Sequence, residues 1–139
     1  MSQVIAVKPN EVDHVWPEVS PLLCKALEYD PTGATIDSIY TNIIDNRYLL
    51  ILMIEEGLKL QAALTIELFE AHGETVCNIV AAGGTNLNDW CDTFLDSAEV
   101  LAKEQGASKL TINGRPGWSR RLKKRGFRPV ITVLEKPLK

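Results

Sequence analysis

The sequence has few of the residues that build metal centres and disulfide frameworks. It contains three cysteines, Cys24, Cys77 and Cys91, without CxxC spacing, and two histidines. An odd number of cysteines without paired spacing argues against a disulfide framework, and so few soft ligands argue against a structural zinc site. We therefore expect neither a bound metal nor a disulfide.

Long apolar runs are also missing. The longest strong run covers residues 48–54, far short of the roughly 20 apolar residues that a membrane helix needs. Residues 1–6 lack the basic region and the long apolar stretch of a signal peptide. We expect a cytoplasmic chain with no membrane segment. Its 139 residues, 45% hydrophobic and 24% charged, predict one globular domain over residues 1–139.

The net charge of −3 hides an uneven distribution. Residues 115–139 hold nine of the 15 basic residues and one of the 18 acidic residues, so six basic and 17 acidic residues remain for the first 114 positions. Such polarity favours an anionic ligand, an acidic protein partner, or association of copies into a homo-oligomer. A solvated helix face explains the basic cluster equally well.

Periodicity predicts the order β, α, α, β, β, β, α, β, α, β. The predicted strands are 4–7, 48–55, 59–68, 75–82, 109–113 and 130–135, and the predicted helices are 11–27 (divided near Ser20 by two prolines), 35–42, 89–105 and 117–125. The helix at 89–105 crosses between the fourth and fifth strands, so these two should be parallel neighbours. The fold class is therefore α/β (α+β three-layer), with a mixed, mostly antiparallel sheet and helices on both faces.

The segment 113–127, NGRPGWSRRLKKRGF, resembles the last βαβ stretch of the GNAT (GCN5-related N-acetyltransferase) superfamily. In those proteins a short helix ends in Gly-Phe before the final strand, and here Gly126 and Phe127 hold these places. The Gly-Arg-x-Gly-Trp opening is most similar to small GNAT-like proteins of tailed bacteriophages. A phage origin would place the chain in the host cytoplasm or in the virion.

The resemblance implies acetyl-CoA as the cofactor. GNAT enzymes hold its pyrophosphate on backbone N–H groups between the fourth strand and the following helix, where the helix dipole favours an anion. The basic helix offers side chains for the phosphates. The cofactor-binding candidates are Ala82, Gly83, Gly84 and Thr85 in the loop, with Arg115, Trp118 and Arg121 near the basic helix.

The loop departs from the GNAT pattern in two ways. It lacks the basic residue of the family motif, and Asp89 and Asp92 stand in the first turn of the next helix, where carboxylates would repel a pyrophosphate. The alternative interpretation is that Gly83 and Gly84 only turn the strand into the helix.

Acetyl transfer also needs a base and an acid. The family often places a tyrosine four residues before the helix-ending glycine, and here that position is Leu122, which cannot donate a proton. The family's asparagine corresponds to Arg115. We predict Glu67, on the polar side of a central strand, as the base, with Tyr48 (or Tyr40) as the acid. A solvated strand residue is the alternative interpretation of Glu67.

Two functions follow from the resemblance. The first is an N-acetyltransferase in which a bound amine attacks the thioester of acetyl-CoA. The second is a catalytically inactive GNAT-fold phage protein that serves in binding, assembly or the virion, because fold does not fix function. The basic helix has only Trp118 and Phe127 as nearby aromatics and belongs to no nucleic-acid-binding module, which argues against sequence-specific nucleic-acid binding.

Overall fold

The computed structural model describes residues 3–28, 34–57, 59–85, 87–112, 119–130, 134 and 136–138. These residues form five strands, which lie in one sheet in chain order. The strands are β1 (Gln3–Val7), β2 (Leu49–Glu55), β3 (Lys59–Ala71), β4 (Glu74–Gly84) and β5 (Lys109–Ile112). The helices are α1 (Val12–Leu27), α2 (Ile36–Ile44), α3 (Leu87–Glu104) and α4 (Ser119–Lys124), with a 3₁₀ turn at Pro9–Glu11. Strands β1 to β4 are antiparallel and β4 and β5 are parallel, as predicted.

Helices cover both sides of the sheet. One core cluster joins α1 and α2 to one side, which we call the α1 face, and the other joins α3 and α4 to the opposite side, the α3 face. The fully or nearly fully buried α3 residues are Trp90, Cys91, Phe94, Leu95, Ala98 and Ala102. The predicted α/β class with helices on both faces is confirmed.

Helix α1 is continuous, so the predicted division near Ser20 is wrong. Pro17 and Pro21 both lie inside it. An interior proline removes a backbone hydrogen bond and costs about 3 kcal/mol. Burial of the apolar side of α1 against the sheet overrides this local penalty, since Val12, Val19 and Leu23 are completely buried.

Helix α2 is fixed at its start and against α1. Thr35 Oγ1 accepts a hydrogen bond from the Ser38 amide at 3.1 Å, and Ser38 Oγ accepts one from the Thr35 amide at 3.1 Å. This reciprocal pair is a capping box. The Tyr40 hydroxyl donates to Asp13 of α1, and this bond raises the pKa of Tyr40. The rings of Tyr40 and Trp16 meet edge to face at 5.1 Å.

Helix α4 packs on α3 through one leucine and one arginine. Leu122 joins the buried cluster of the α3 face. Arg125, just past the end of α4, lies 3.7 Å from an Asp92 oxygen and 3.5 Å from a Glu99 oxygen, and it also bonds Asp96. Arg125, one of the basic residues of the C-terminal region, is thus paired with acidic residues of α3 in the same molecule.

Strand β3 is buried on both faces along much of its length. In the sequence, apolar residues of this strand alternate with Lys59, Gln61, Thr65 and Glu67, which predicts a polar face, but Gln61 and Thr65 are only 7% and 0% exposed. Thr65 lies on the face that α1 covers. The register with β2 shifts between Met53 and Ile54. As a result Leu60 packs with the α1-face cluster, whereas Ala62 belongs to the α3-face cluster.

The predicted last strand falls largely on positions 131–133 and 135, which lie outside the described residues. Its two described residues, Val130 and Leu134, belong to no strand and are 74% and 90% exposed. The final strand therefore stays a prediction.

Candidate functional site

Three polar side chains stand side by side across the α1 face. Glu67 of β3 is paired in register with Asn78 of β4, which is paired with Thr111 of β5. The Asn78 side-chain amide donates to Glu67 Oε1 at 3.3 Å, and Thr111 Oγ1 donates to Asn78 Oδ1 at 2.7 Å. Asn78 is 9% exposed, so this bonding is largely shielded from water.

Strand alternation places these residues on one face. The neighbours of each polar residue along its strand, among them Ile66, Cys77 and Ile112, belong to the α3-face cluster. Since successive side chains in a strand point to opposite faces, the polar residues between them lie on the α1 face. Asn78 and Thr111 were missed in the sequence. The signal in the sequence is a polar residue between apolar neighbours, Asn78 between Cys77 and Ile79 and Thr111 between Leu110 and Ile112.

Tyr48 extends this row of polar side chains to the residue that precedes β2, the strand next to β3. Leu49 pairs with Ile66, and the same register puts Tyr48, one residue before β2, opposite Glu67. Tyr48 packs against the α1-face cluster, so it lies on the same side of the sheet as Glu67. The structure thus brings the two predicted catalytic residues together. We call Tyr48, Glu67, Asn78 and Thr111 the polar row.

An opening between β4 and β5 begins beside the polar row. The described pairing of these strands ends at Ile79 and Ile112, whereas β4 continues to Gly84. One extra β4 residue, Val80, falls between Ile79 and Ala81 where the register with β3 shifts. In the described part of the chain, residues 81–84 therefore have a strand partner on the β3 side alone, and Val80 pairs with neither neighbouring strand. Helix α3 begins at Leu87, shortly after this segment.

Gly83 and Gly84 are the last residues of β4 and do not form a turn. A Cβ atom on Gly83 would lie 2.1 Å from the Leu22 carbonyl oxygen of α1. One on Gly84 would lie 2.5 Å from the Gln61 carbonyl oxygen and 2.8 Å from Ala62 Cβ. These glycines permit close approach of the chain's own backbone, a requirement that exists without any cofactor.

The two other loop candidates are engaged within the fold. The Thr85 amide donates to the Gln61 carbonyl at 3.2 Å, and the Thr85 carbonyl accepts from the Trp90 indole at 2.9 Å. The amide of Thr85 is thus used by β3 and is not directed at a phosphate. Ala82 is 9% exposed and packs with the α3-face cluster.

Arg121 is the described basic candidate at this end of α3. Burial raises the pKa of the Cys91 thiol, in the second turn of α3, and the nearby guanidinium of Arg121 opposes that shift. Arg121 therefore lies at the end of α3 that follows Gly84. Arg115 and Trp118 lie outside the described residues, as does the side chain of Asp89.

The cysteines do not offer a nucleophile. Cys77 and Cys91 are completely buried in the α3-face cluster, and burial raises the pKa of both thiols. A thiol in such surroundings stays protonated and unreactive. Among the described residues there is no group of histidine, cysteine, aspartate and glutamate that could hold a metal ion. None of the described helices is long and apolar enough to cross a membrane.

Solved acetyltransferases share this architecture along nearly the whole chain. An aminoglycoside acetyltransferase from an uncultured soil metagenomic sample, in complex with sisomicin, gives a TM-score of 0.70 at 11% identity, covering 99% of this chain and 97% of that chain. Glucosamine-6-phosphate N-acetyltransferase from Arabidopsis thaliana gives 0.67 at 10% identity, covering 100% and 99%. An acetyltransferase from Trypanosoma brucei gives 0.68 at 11% identity, covering 99% and 100%.

The chain has the GNAT fold. No protein-family model and no curated protein matches it. Within the GNAT fold, Leu122 occupies the position that the resemblance assigns to a catalytic tyrosine, and here it is a core residue, 6% exposed. Tyr48, one residue before β2, stands across from Glu67.

Proposed function

We propose that this protein is an N-acetyltransferase that moves the acetyl group of acetyl-CoA to an amine. The observation that carries the proposal is the polar row on the α1 face, immediately beside the opening between β4 and β5. In a GNAT fold this arrangement puts a carboxylate and a phenol next to a β4 edge that has no strand partner among the described residues. The amine acceptor agrees with the names of the aminoglycoside and glucosamine-6-phosphate acetyltransferases of the same fold.

Glu67 acts as the base in this proposal. It takes a proton from the attacking amine, directly or through a water molecule, as the nitrogen forms a bond to the thioester carbon. The carbon–sulfur bond then breaks, and the Tyr48 hydroxyl supplies a proton to the departing thiolate. Asn78 holds the Glu67 carboxylate by its side-chain amide, and Thr111 holds Asn78 in turn.

The backbone of residues 80–84 would hold acetyl-CoA along the open edge of β4. Arg121 and the first turn of α3 would face its phosphates, because unpaired N–H groups and the helix dipole attract an anion there. Asp89 and Asp92 are the carboxylates that the sequence predicts to repel a phosphate, and the side chain of Asp89 lies outside the described residues. The Asp92 carboxylate lies 3.7 Å from Arg125, so its negative charge is partly neutralised and repels a phosphate less.

Calorimetric titration with acetyl-CoA tests the proposal. We expect binding tighter than about 1 mM, equivalent to about −4 kcal/mol. Two matched variants are Arg121→Gln and Lys123→Gln, both in α4. Arg121 is half-buried and lies near Cys91, whereas Lys123 is exposed. Arg121→Gln should weaken binding severalfold and Lys123→Gln should not. Absence of acetyl-CoA binding by the unaltered protein would exclude the proposed N-acetyltransferase activity.

The second candidate is a catalytically inactive GNAT-fold protein of a tailed bacteriophage, acting in binding or assembly in the host cytoplasm or in the virion. Two observations favour the loss of catalysis that this candidate requires. Leu122 is a core residue at the family's acid position, and the space beside Gly83 is filled by the Leu22 carbonyl. A protein that binds no acetyl-CoA but retains a partner in a pull-down would establish this function.

A further inference from the structure

An apolar groove lies on the α3 face, away from the polar row. It encloses about 190 Å³ between α3 and the first three strands. Val4 and Ala6 of β1 line its outer end, and Phe94 and Leu101 of α3 lie among its other lining residues. Since β1 is the outermost of the described strands, the groove runs out to the edge of the sheet.

Within the described ranges of the chain, strand β1 is an unprotected edge. There it pairs with β2 alone, in a regular register from Gln3 opposite Ile54 to Val7 opposite Leu50. Val4 on the α3 face and Ile5 on the α1 face are each 40% exposed. Natural edge strands are usually protected by charged residues, proline or a bulge, and the five residues QVIAV have none of these.

We propose that β1 pairs with β1 of a second copy of this chain, antiparallel about a symmetry axis at Ile5. This register is self-complementary. Val4 faces Ala6 of the second copy and Gln3 faces Val7, so no like charges are opposed. Two five-stranded sheets become one continuous sheet, and the groove floor formed by Val4 and Ala6 continues into the second copy.

The other apolar strand edge does not fit a second copy. Beyond Ile66, strand β3 has no β2 partner, and Leu68 and Phe69 are 42% and 41% exposed. A symmetric pairing centred between these two residues would place Glu67 opposite Glu70 of the second copy. Like charges directly opposite each other destabilise a strand pair, so this register is disfavoured.

The dimer should be weak. Five residues of paired strand span about 17 Å, which gives less contact than the roughly 1,200 Å² buried in stable interfaces. We therefore expect a dissociation constant on the order of 10 µM. Sedimentation velocity from about 1 µM to about 200 µM should show the 15.4 kDa monomer converting to twice that mass.

Two matched variants identify the surface. Val4→Lys introduces a charge into the edge and should abolish dimerisation over this range. Leu68→Lys introduces the same charge at an equally exposed strand position on the same face and should leave the dissociation constant unchanged. A monomeric unaltered protein would overturn the proposal, and so would a Val4→Lys variant that associates normally.

A disulfide test measures the register itself and remains valid if Val4→Lys fails to fold. In a Cys24→Ser background, which leaves only the two buried cysteines, Ile5→Cys should form a disulfide-linked dimer under mild oxidation. Directly opposed Cβ atoms lie about 4.5–5.5 Å apart, close to disulfide range. Leu68→Cys should stay monomeric. An Ile5→Cys variant that dimerises reversibly without forming the disulfide would reject pairing at β1 and indicate another occupant, such as the C-terminal segment.

Discussion

Asn78 donates a hydrogen bond from its side-chain amide to Glu67 Oε1, at 3.3 Å across the β3–β4 pair. This bond fixes the carboxylate that the proposed reaction uses as its base. Asn78 is therefore a positioning residue, and its effect should be separable from the effect on cofactor binding.

Replacement of Asn78 by leucine should lower kcat about 10- to 100-fold, because the carboxylate loses its fixed orientation. The affinity for acetyl-CoA, measured by calorimetry, should stay the same, since Asn78 lies outside the open β4 edge at 80–84. Thr111→Val should produce a smaller loss of the same kind because it removes only the bond to Asn78. Equal losses in kcat and in acetyl-CoA affinity would show a general structural defect.

Thr65→Val should stabilise the protein. The Thr65 hydroxyl is completely buried and has no hydrogen-bond partner in the described part of the chain. An unpaired buried hydroxyl costs about 1 kcal/mol or more, and valine has nearly the same shape. We expect the free energy of unfolding, measured by urea denaturation, to rise by about 1 kcal/mol. A loss of stability would show that this hydroxyl bonds a buried water.

Gly83→Ala should destabilise the fold strongly. The new methyl group would lie 2.1 Å from the Leu22 carbonyl oxygen, so α1 must move away from β4. Overpacking of this kind costs about 1–3 kcal/mol. Gly57→Ala is the control, because no atom lies within 4 Å and only its backbone angle φ of +86° opposes the substitution. A Gly83→Ala variant no less stable than Gly57→Ala would contradict the packing described for α1.

The ion pair between Glu74 and Lys109 should make stability depend on pH. Their side chains approach to 2.9 Å, and the hydrogen bond from Lys109, with its charge, lowers the pKa of Glu74. A lowered carboxyl pKa contributes stability above the unfolded-state pKa, and that contribution is lost as pH falls through the folded-state pKa. Urea denaturation should show Lys109→Met less stable than the unaltered protein near pH ~7 and indistinguishable near pH ~2. A difference that persists in acid would have another cause.

The sequence predicts most of the fold because the relevant signals are local. Alternation and turn residues locate the strands, and the crossover helix predicts the parallel pair of β4 and β5. The continuity of α1 through Pro17 and Pro21 could not be predicted, because burial of the apolar side decides it against local preference. The extra residue at Gln61, which moves Leu60 to the other face, depends on pairing with β2 and leaves no local signal.

The candidate site was predictable only in part. Glu67 and Tyr48 were each identified by residue type, but their juxtaposition depends on the register of β2 with β3. Asn78 and Thr111 were missed because neither is titratable, and their importance comes from bonding across strands. The assignment of Gly83 as a phosphate contact stays a prediction. Its packing against Leu22 is a relationship between distant segments that spacing cannot express.

The steady-state rate of acetyl transfer by Glu67→Gln tests the central claim most directly, with Glu70→Gln as the matched control on the same strand. Glutamine keeps the shape of Glu67 and its bond to Asn78 but cannot accept a proton. The account predicts that kcat with acetyl-CoA and an amine acceptor falls about 10²- to 10⁴-fold for Glu67→Gln and is unchanged for Glu70→Gln. A Glu67→Gln variant that retains kcat within about twofold would contradict the assignment of Glu67 as the base.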